Sequence, residues 1–159
     1  MDTEIIAGTI KKCELFGDLS EEELNSIAGS AVIEKYGAGE SIYEQGSIGQ
    51  NFYILVDGQV SLQRSMPLGK TAKANVTVFV QRETPHRRLM GCWSALVGAE
   101  HRHLCTAKCD RPTTVIRIPC TALAAIVEKN QELKIKLLEK LVLMLRERID
   151  SSYQAIETL

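Results

Sequence analysis

The sequence has almost no net charge: 19 Lys and Arg residues face 20 Asp and Glu, a formal −1 at pH 7. That balance provides no global field for non-specific nucleic-acid binding, although a local basic patch is still permitted. Long apolar runs are missing as well. The longest, Leu141 to Leu145, is far too short for a bilayer, which needs about 20 residues. Met1 to Ile10 carry Asp2 and Glu4 and lack a basic lead followed by an apolar stretch. No secretory signal is therefore read, and a cytoplasmic location is expected. There is no P-loop, dinucleotide fingerprint, nucleophile elbow or zincin helix, and no spacing pairs carboxylates into a site. The expectation is a protein that is not an enzyme.

Cysteine is present but unevenly. The five residues, Cys13, Cys92, Cys105, Cys109 and Cys120, are odd in number and irregular in spacing, which argues against a disulfide framework and for buried thiols. Cys92, His101, His103, Cys105 and Cys109 cluster in sequence and are residue types that bind metal or haem. Their His-x-His-x-Cys spacing matches no zinc pattern, and on a strand Cys105 and Cys109 share a face with Ala107. No metal site is expected. Trp93 is the only tryptophan; packing of a short helix onto the fold is favoured for it over stacking on a ligand.

What is there is a chain of 159 residues, 45% hydrophobic and 25% charged, the size and balance of one domain with its own core. A helix is read from Thr3 to about Leu15, with Ile5, Ile6, Ile10 and Leu15 on one face. Ser20 with Glu23 forms a capping box that starts a second helix, to about Ser30. From Ala31 the texture changes to short β-prone runs punctuated by glycine: 31–36, 41–44, 52–56, 60–63, 75–80, 104–109 and 113–118. Asp57-Gly58 reads as a two-residue hairpin turn, and 67–70 and 81–88 as connections. Many short strands with frequent turns suggest a closed roll or jelly roll, because closure protects strand edges. Past Pro119 the chain is helical, over 121–128 and then from a cap at Asn130 to the C-terminus. On this last helix Leu138, Val142, Leu145, Ile149, Ser152, Ile156 and Leu159 alternate spacings of four and three. A seam of that kind suits a partner helix, and a homodimer is expected through it.

The order helices, short strands, short helix, long helix resembles the cyclic-nucleotide-binding domain family of the catabolite activator protein and protein kinase A regulatory subunit type. The residues that carry the resemblance are Leu15-Phe16 with Leu19-Ser20; Tyr36-x-x-Gly39-Glu40-x-Ile42-Tyr43-x-x-Gly46; Phe52 to Val60; and Thr106 to Pro119. It implies one β-roll domain over 1–159, with N-terminal helices in 1–30, the roll in 31–118 and C-terminal helices in 119–159. It also implies a phosphate-binding cassette after a glycine, here Gly91-Cys92-Trp93-Ser94-Ala95-Leu96. In the family a short helix offers N–H groups to a cyclic phosphate, an arginine neutralises it, and a glutamate accepts from the ribose hydroxyl. Cys92 stands at the glutamate position. Counting forward from Gly91 assigns the arginine position to Arg102; counting back from Thr106 assigns it to His103, a weaker phosphate partner at neutral pH. The resemblance thus implies a ligand-sensing regulatory module with weak affinity for cyclic AMP or cyclic GMP, open to another small anionic ligand. The alternatives are a ligand-free dimerisation or docking scaffold, or the sensor part of a transcription regulator. No helix-turn-helix is read, so DNA binding by this chain alone is not expected.

Overall fold

A computed structural model describes residues 2–159. Helix α1 (Asp2–Lys12) is followed by a single 3-10 turn at Glu14–Phe16 and by α2 (Glu21–Ser30). The capping box forms as read. Glu23 N–H donates to Ser20 Oγ at 3.1 Å, and Ser20 N–H donates to Glu23 Oε1 at 3.0 Å. Ile5 departs from the expected face and is exposed, whereas Ile6 and Ile10 are buried.

Ten strands follow: β1 (Val32–Tyr36), β2 (Ser41–Tyr43), β3 (Ile48–Gly49), β4 (Asn51–Asp57), β5 (Val60–Leu68), β6 (Ala72–Gln81), β7 (Leu89–Gly91), β8 (His101–Arg102), β9 (Thr106–Cys109) and β10 (Thr113–Pro119). They form two four-stranded sheets, in the orders β1-β10-β4-β7 and β2-β9-β5-β6, and a two-stranded β3-β8 ladder. All the pairings are antiparallel. Helices α3 (Cys120–Lys129) and α4 (Gln131–Glu157) close the chain, and the Asn130 side chain accepts from Leu133 N–H at 3.1 Å as the cap of α4.

The Asp57-Gly58 turn does not close a hairpin. β4 pairs with β10 and β7, while β5 pairs with β6 and β9, so the turn hands the chain from one sheet to the other. Gly58 has φ +118°, and a Cβ there would lie 2.5 Å from Thr113 Oγ1. A turn dipeptide specifies a local reversal but not which strands become neighbours. The true hairpin is β5-β6, whose register runs out to Leu68 opposite Ala72 around Gly69, so the loop expected at 67–70 shrinks to a tip.

β4 shows why its apolar run is continuous. Successive side chains point to opposite faces of a strand, and here both faces are covered. Phe52 and Ile54 pack with Ile10, Phe16, Ile27, Leu123 and Leu137 in a core shared with the helices. Tyr53 and Leu55 face the inside of the roll with Val60, Leu62, Phe79 and Val115. Leu133, Leu137, Leu141 and Met144 are the buried stripe that seats α4 on the helical core. Beyond Met144 the helix runs along β6, where Ser151 Oγ donates to the Val78 carbonyl at 2.7 Å.

Candidate functional site

Gly91 ends β7 in a conformation reserved for glycine, with φ +131°. A Cβ there would sit 2.5 Å from the Asn51 carbonyl oxygen and 3.0 Å from Phe52 Cα. The backbone of β7 therefore lies tight against β4 before the chain turns into the 3-10 helix Trp93–Val97, which ends at Gly98 in the left-handed region. Within this turn Ala95 N–H donates to the Cys92 carbonyl at 3.1 Å, so that N–H is already used. Ala95 packs against the helical core, and Trp93 meets Phe52 edge-on with centroids 6.1 Å apart.

Cys92 is fully buried and joined to Cys120, the first residue of α3, in a disulfide. The Cys92 side chain at the acceptor position is thus turned away from any ligand, and this pair departs from the buried thiols expected for most of the cysteines. Cys13, Cys105 and Cys109 remain free thiols; burial pushes Cys13 up to about 12.

The space in front of the cassette is an open cavity of about 350 Å³ between the roll and α4. Gly91, Trp93, His101 and His103 line it from the cassette side, and Leu145, Arg148, Ile149, Ser152 and Ile156 from α4. The two-residue strand β8 decides the ambiguous arginine position. Side chains alternate along a strand, so His101 and His103 are buried and Arg102 between them points out. Arg102 is 62% exposed and pairs with Glu100 at 3.2 Å and the Gly46 carbonyl at 3.3 Å. It does not reach the cavity, and the expectation that it meets a ligand phosphate there is corrected.

The two histidines are held in place. Ser94 Oγ and His101 Nδ1 are 2.8 Å apart. The His103 ring stacks on Tyr43 with centroids 3.7 Å apart and planes at 17°. Burial, with His101 adding to it, pulls His103 down to about 4, and burial also lowers His101. Both imidazoles are therefore neutral at pH 7 and supply hydrogen bonds, not charge. Gly49 makes room for this arrangement, since a Cβ there would lie 2.9 Å from His103 Nε2.

The charge comes from a residue the sequence reading passed over. Arg148 reaches from α4 into the roll. Its Cζ lies 4.7 Å from the centroid of Trp93 and 4.8 Å from that of Phe79, and it donates to the Leu89 carbonyl. Burial lowers it from 12.5 to about 10, so it is charged at pH 7. The available signal was its spacing. Arg148 lies four residues after the buried Met144 and four before Ser152, on the side of α4 that faces the roll.

The expected seam on α4 divides in two. Leu138 and Leu145 are half-buried against the protein's own core, while Val142 and Ile149 are 65% and 53% exposed. Ile135 and Ile156 are exposed on the same line, at a strict seven-residue interval with Val142 and Ile149. Among the described residues no helix is long and apolar enough to cross a membrane.

The model of the cyclic nucleotide-binding domain matches residues 33–130. No curated protein matches the chain by sequence. Among solved structures, it is similar to the sensor domain of the transcriptional regulator DNR from Pseudomonas aeruginosa, with 24% identity over 93% of each chain and a TM-score of 0.73. It is similar to a cyclic nucleotide-binding domain from Methylobacillus flagellatus, with 20% identity over 98% of this chain and 83% of that one and a TM-score of 0.72. A third likeness is to the regulatory domain of Toxoplasma gondii PKA with cAMP, with 17% identity over 89% of this chain and 49% of that one and a TM-score of 0.67. At these identities the likeness is one of fold: a jelly roll of antiparallel sheets with N-terminal helices and a long C-terminal helix.

Proposed function

The chain belongs to the cyclic nucleotide-binding domain family, and from that premise we propose that it is a ligand-sensing module whose output is the arrangement of α4 in a homodimer. The family is regulatory, and the chain acts as one unit, with no catalytic step. The observation that carries the reading is the open cavity of about 350 Å³ walled on one side by the cassette and on the other by α4. A ligand there touches both the fixed roll and the helix that faces a partner. It can favour one helix position only through such differential contact. An open cavity also speaks against a ligand-free scaffold.

Cyclic nucleotides are poor candidates for the ligand. Of the cassette residues, Cys92 is in a disulfide, Ala95 is packed on the core and Arg102 is outside the cavity. At the cassette the phosphate would meet neutral histidines in place of an arginine, and the ribose hydroxyl no carboxylate. Losing one charge-assisted contact of this kind costs on the order of 2–5 kcal/mol. The dimer reading rests on the exposed line Ile135, Val142, Ile149 and Ile156. Apolar residues at every seventh position form a stripe that suits a partner helix. The resemblance in fold to a transcriptional regulator's sensor domain favours DNA-linked regulation as the process served.

Two measurements test this. Calorimetric titration with cyclic AMP and cyclic GMP is expected to give no submicromolar affinity, and such an affinity would overturn the ligand reading. Sedimentation of the wild type is expected to give a dimer and of Val142→Glu a monomer; a wild-type monomer at tens of micromolar removes the proposed output.

A further inference from the structure

We propose that the cavity is a site for an amphipathic monocarboxylate, with the carboxylate held by the Arg148 guanidinium and the apolar body lying against Leu62, Val78, Leu145 and Ile149. The inference rests on the sensing reading above and names its ligand class. The first observation is a half-buried charge without a counter-charge. Among the described residues no carboxylate forms an ion pair with Arg148. A guanidinium has five N–H donors, and here a single intramolecular bond is made, to the Leu89 carbonyl, which also accepts from Gln81 Nε2 at 3.1 Å. The rings of Phe79 and Trp93 stabilise the cation but accept none of the remaining in-plane donors.

The second observation is what surrounds that charge. The cavity wall is mostly hydrocarbon from Leu62, Met66, Val78, Leu145, Ile149 and Ile156. Of its other polar groups, His101, His103 and Tyr43 are uncharged at pH 7, since burial lowers the histidines and raises the tyrosine, while the exposed Arg64 stands at the rim and donates to the Leu104 carbonyl. One inward-facing cation against an apolar wall, with the second arginine out at the rim, matches one anionic charge on an apolar body. A planar carboxylate suits the guanidinium fork, which can engage both oxygens. A sugar or purine would bring hydroxyls and ring nitrogens that this wall leaves unpaired, and unpaired buried polar groups are costly. The volume, about 350 Å³, is at the small end of the ligand-pocket range, which suits an aryl ring or a medium-length chain.

The test uses the full chain with octanoate and 4-phenylbutyrate, each compared with its neutral amide by calorimetry. The acids are expected to bind at least tenfold more tightly than the amides. In Arg148→Gln this preference should vanish while circular dichroism remains native, and Arg148→Lys should restore part of it. Leu145→Trp, which fills the chamber without touching the charge, should weaken acid and amide together. Equal affinity for acid and amide, no binding of either, or an unchanged preference in a folded Arg148→Gln protein overturns the carboxylate assignment and leaves the sensing reading in place. Submicromolar binding of cyclic AMP that octanoate does not displace overturns the carboxylate assignment and the exclusion of cyclic nucleotides, and keeps the sensing reading.

Discussion

A half-buried cation without a counter-charge should burden the empty protein. Replacing Arg148 by Met keeps the length and apolar stem of the side chain and removes the charge. The fall from 12.5 to about 10 corresponds to about 3 kcal/mol, at ~1.4 kcal/mol per pH unit. For a base whose folded value is depressed, that penalty is carried in full below pH 10 and relaxes only as pH climbs toward 12.5. At pH 7 it is all present. Against it stand the contacts with Phe79 and Trp93, worth roughly 1 kcal/mol each. The Leu89 carbonyl keeps its bond from Gln81, so no acceptor is orphaned. The net expectation is that Arg148→Met is more stable by about 1 kcal/mol, since an apolar residue of similar volume often improves on a buried charge. In a protein of this size that raises Tm by roughly 2–4 °C. Differential scanning calorimetry without ligand is the assay. A fall in Tm of several degrees would refute the reasoning, because Arg148 would then be holding the roll together.

Other expectations follow from the same geometry. His103, held near 4 in the fold against 6.5 when free, binds its proton in the unfolded chain first, so stability is full above pH 6.5 and is lost as pH falls toward 4. Between pH 8 and 5 the loss is about 2 kcal/mol, and urea unfolding of His103→Gln should show a correspondingly flatter pH profile. Gly91→Ala forces a Cβ to within 2.5 Å of the Asn51 carbonyl oxygen at φ +131°; a destabilisation on the order of 3 kcal/mol is expected in chemical denaturation. The Cys92–Cys120 bond closes a loop with a sequence separation of 28, so reductant should cost about 3.5 kcal/mol. A thiol titration of the unfolded, oxidised protein should count three free thiols, and five would show the pair to be reduced.

The fold was largely legible because its signals are local. The Ser20–Glu23 capping box, the Asn130 cap and the β-prone runs each depend on neighbours in sequence. Strand pairing is not local: Asp57-Gly58 has the chemistry of a hairpin, but the two edges of β4 pair with β10 and β7 instead of β5. The site was harder to read for the same reason. Alignment by spacing kept both Arg102 and His103 in play, and only the alternation along β8 separates them. Cys92 was visible as a departure from the family pattern, but its partner Cys120 lies across the fold. Arg148 was hidden among the charges of α4, where Arg146 and Glu147 precede it and only its four-residue spacing from Met144 and Ser152 marks it as facing the roll.

Two positions on α4, Ile149 and Ile156, are at once walls of the cavity and members of the exposed heptad line. A substitution at either alters chemical preference and self-association together, so the two traits cannot drift separately on that helix. The opposite wall, with Leu62, Met66 and Val78, belongs to the roll alone. Descendants of this protein that acquire a new effector while keeping their quaternary state should therefore have been remodelled in the β5-β6 hairpin first.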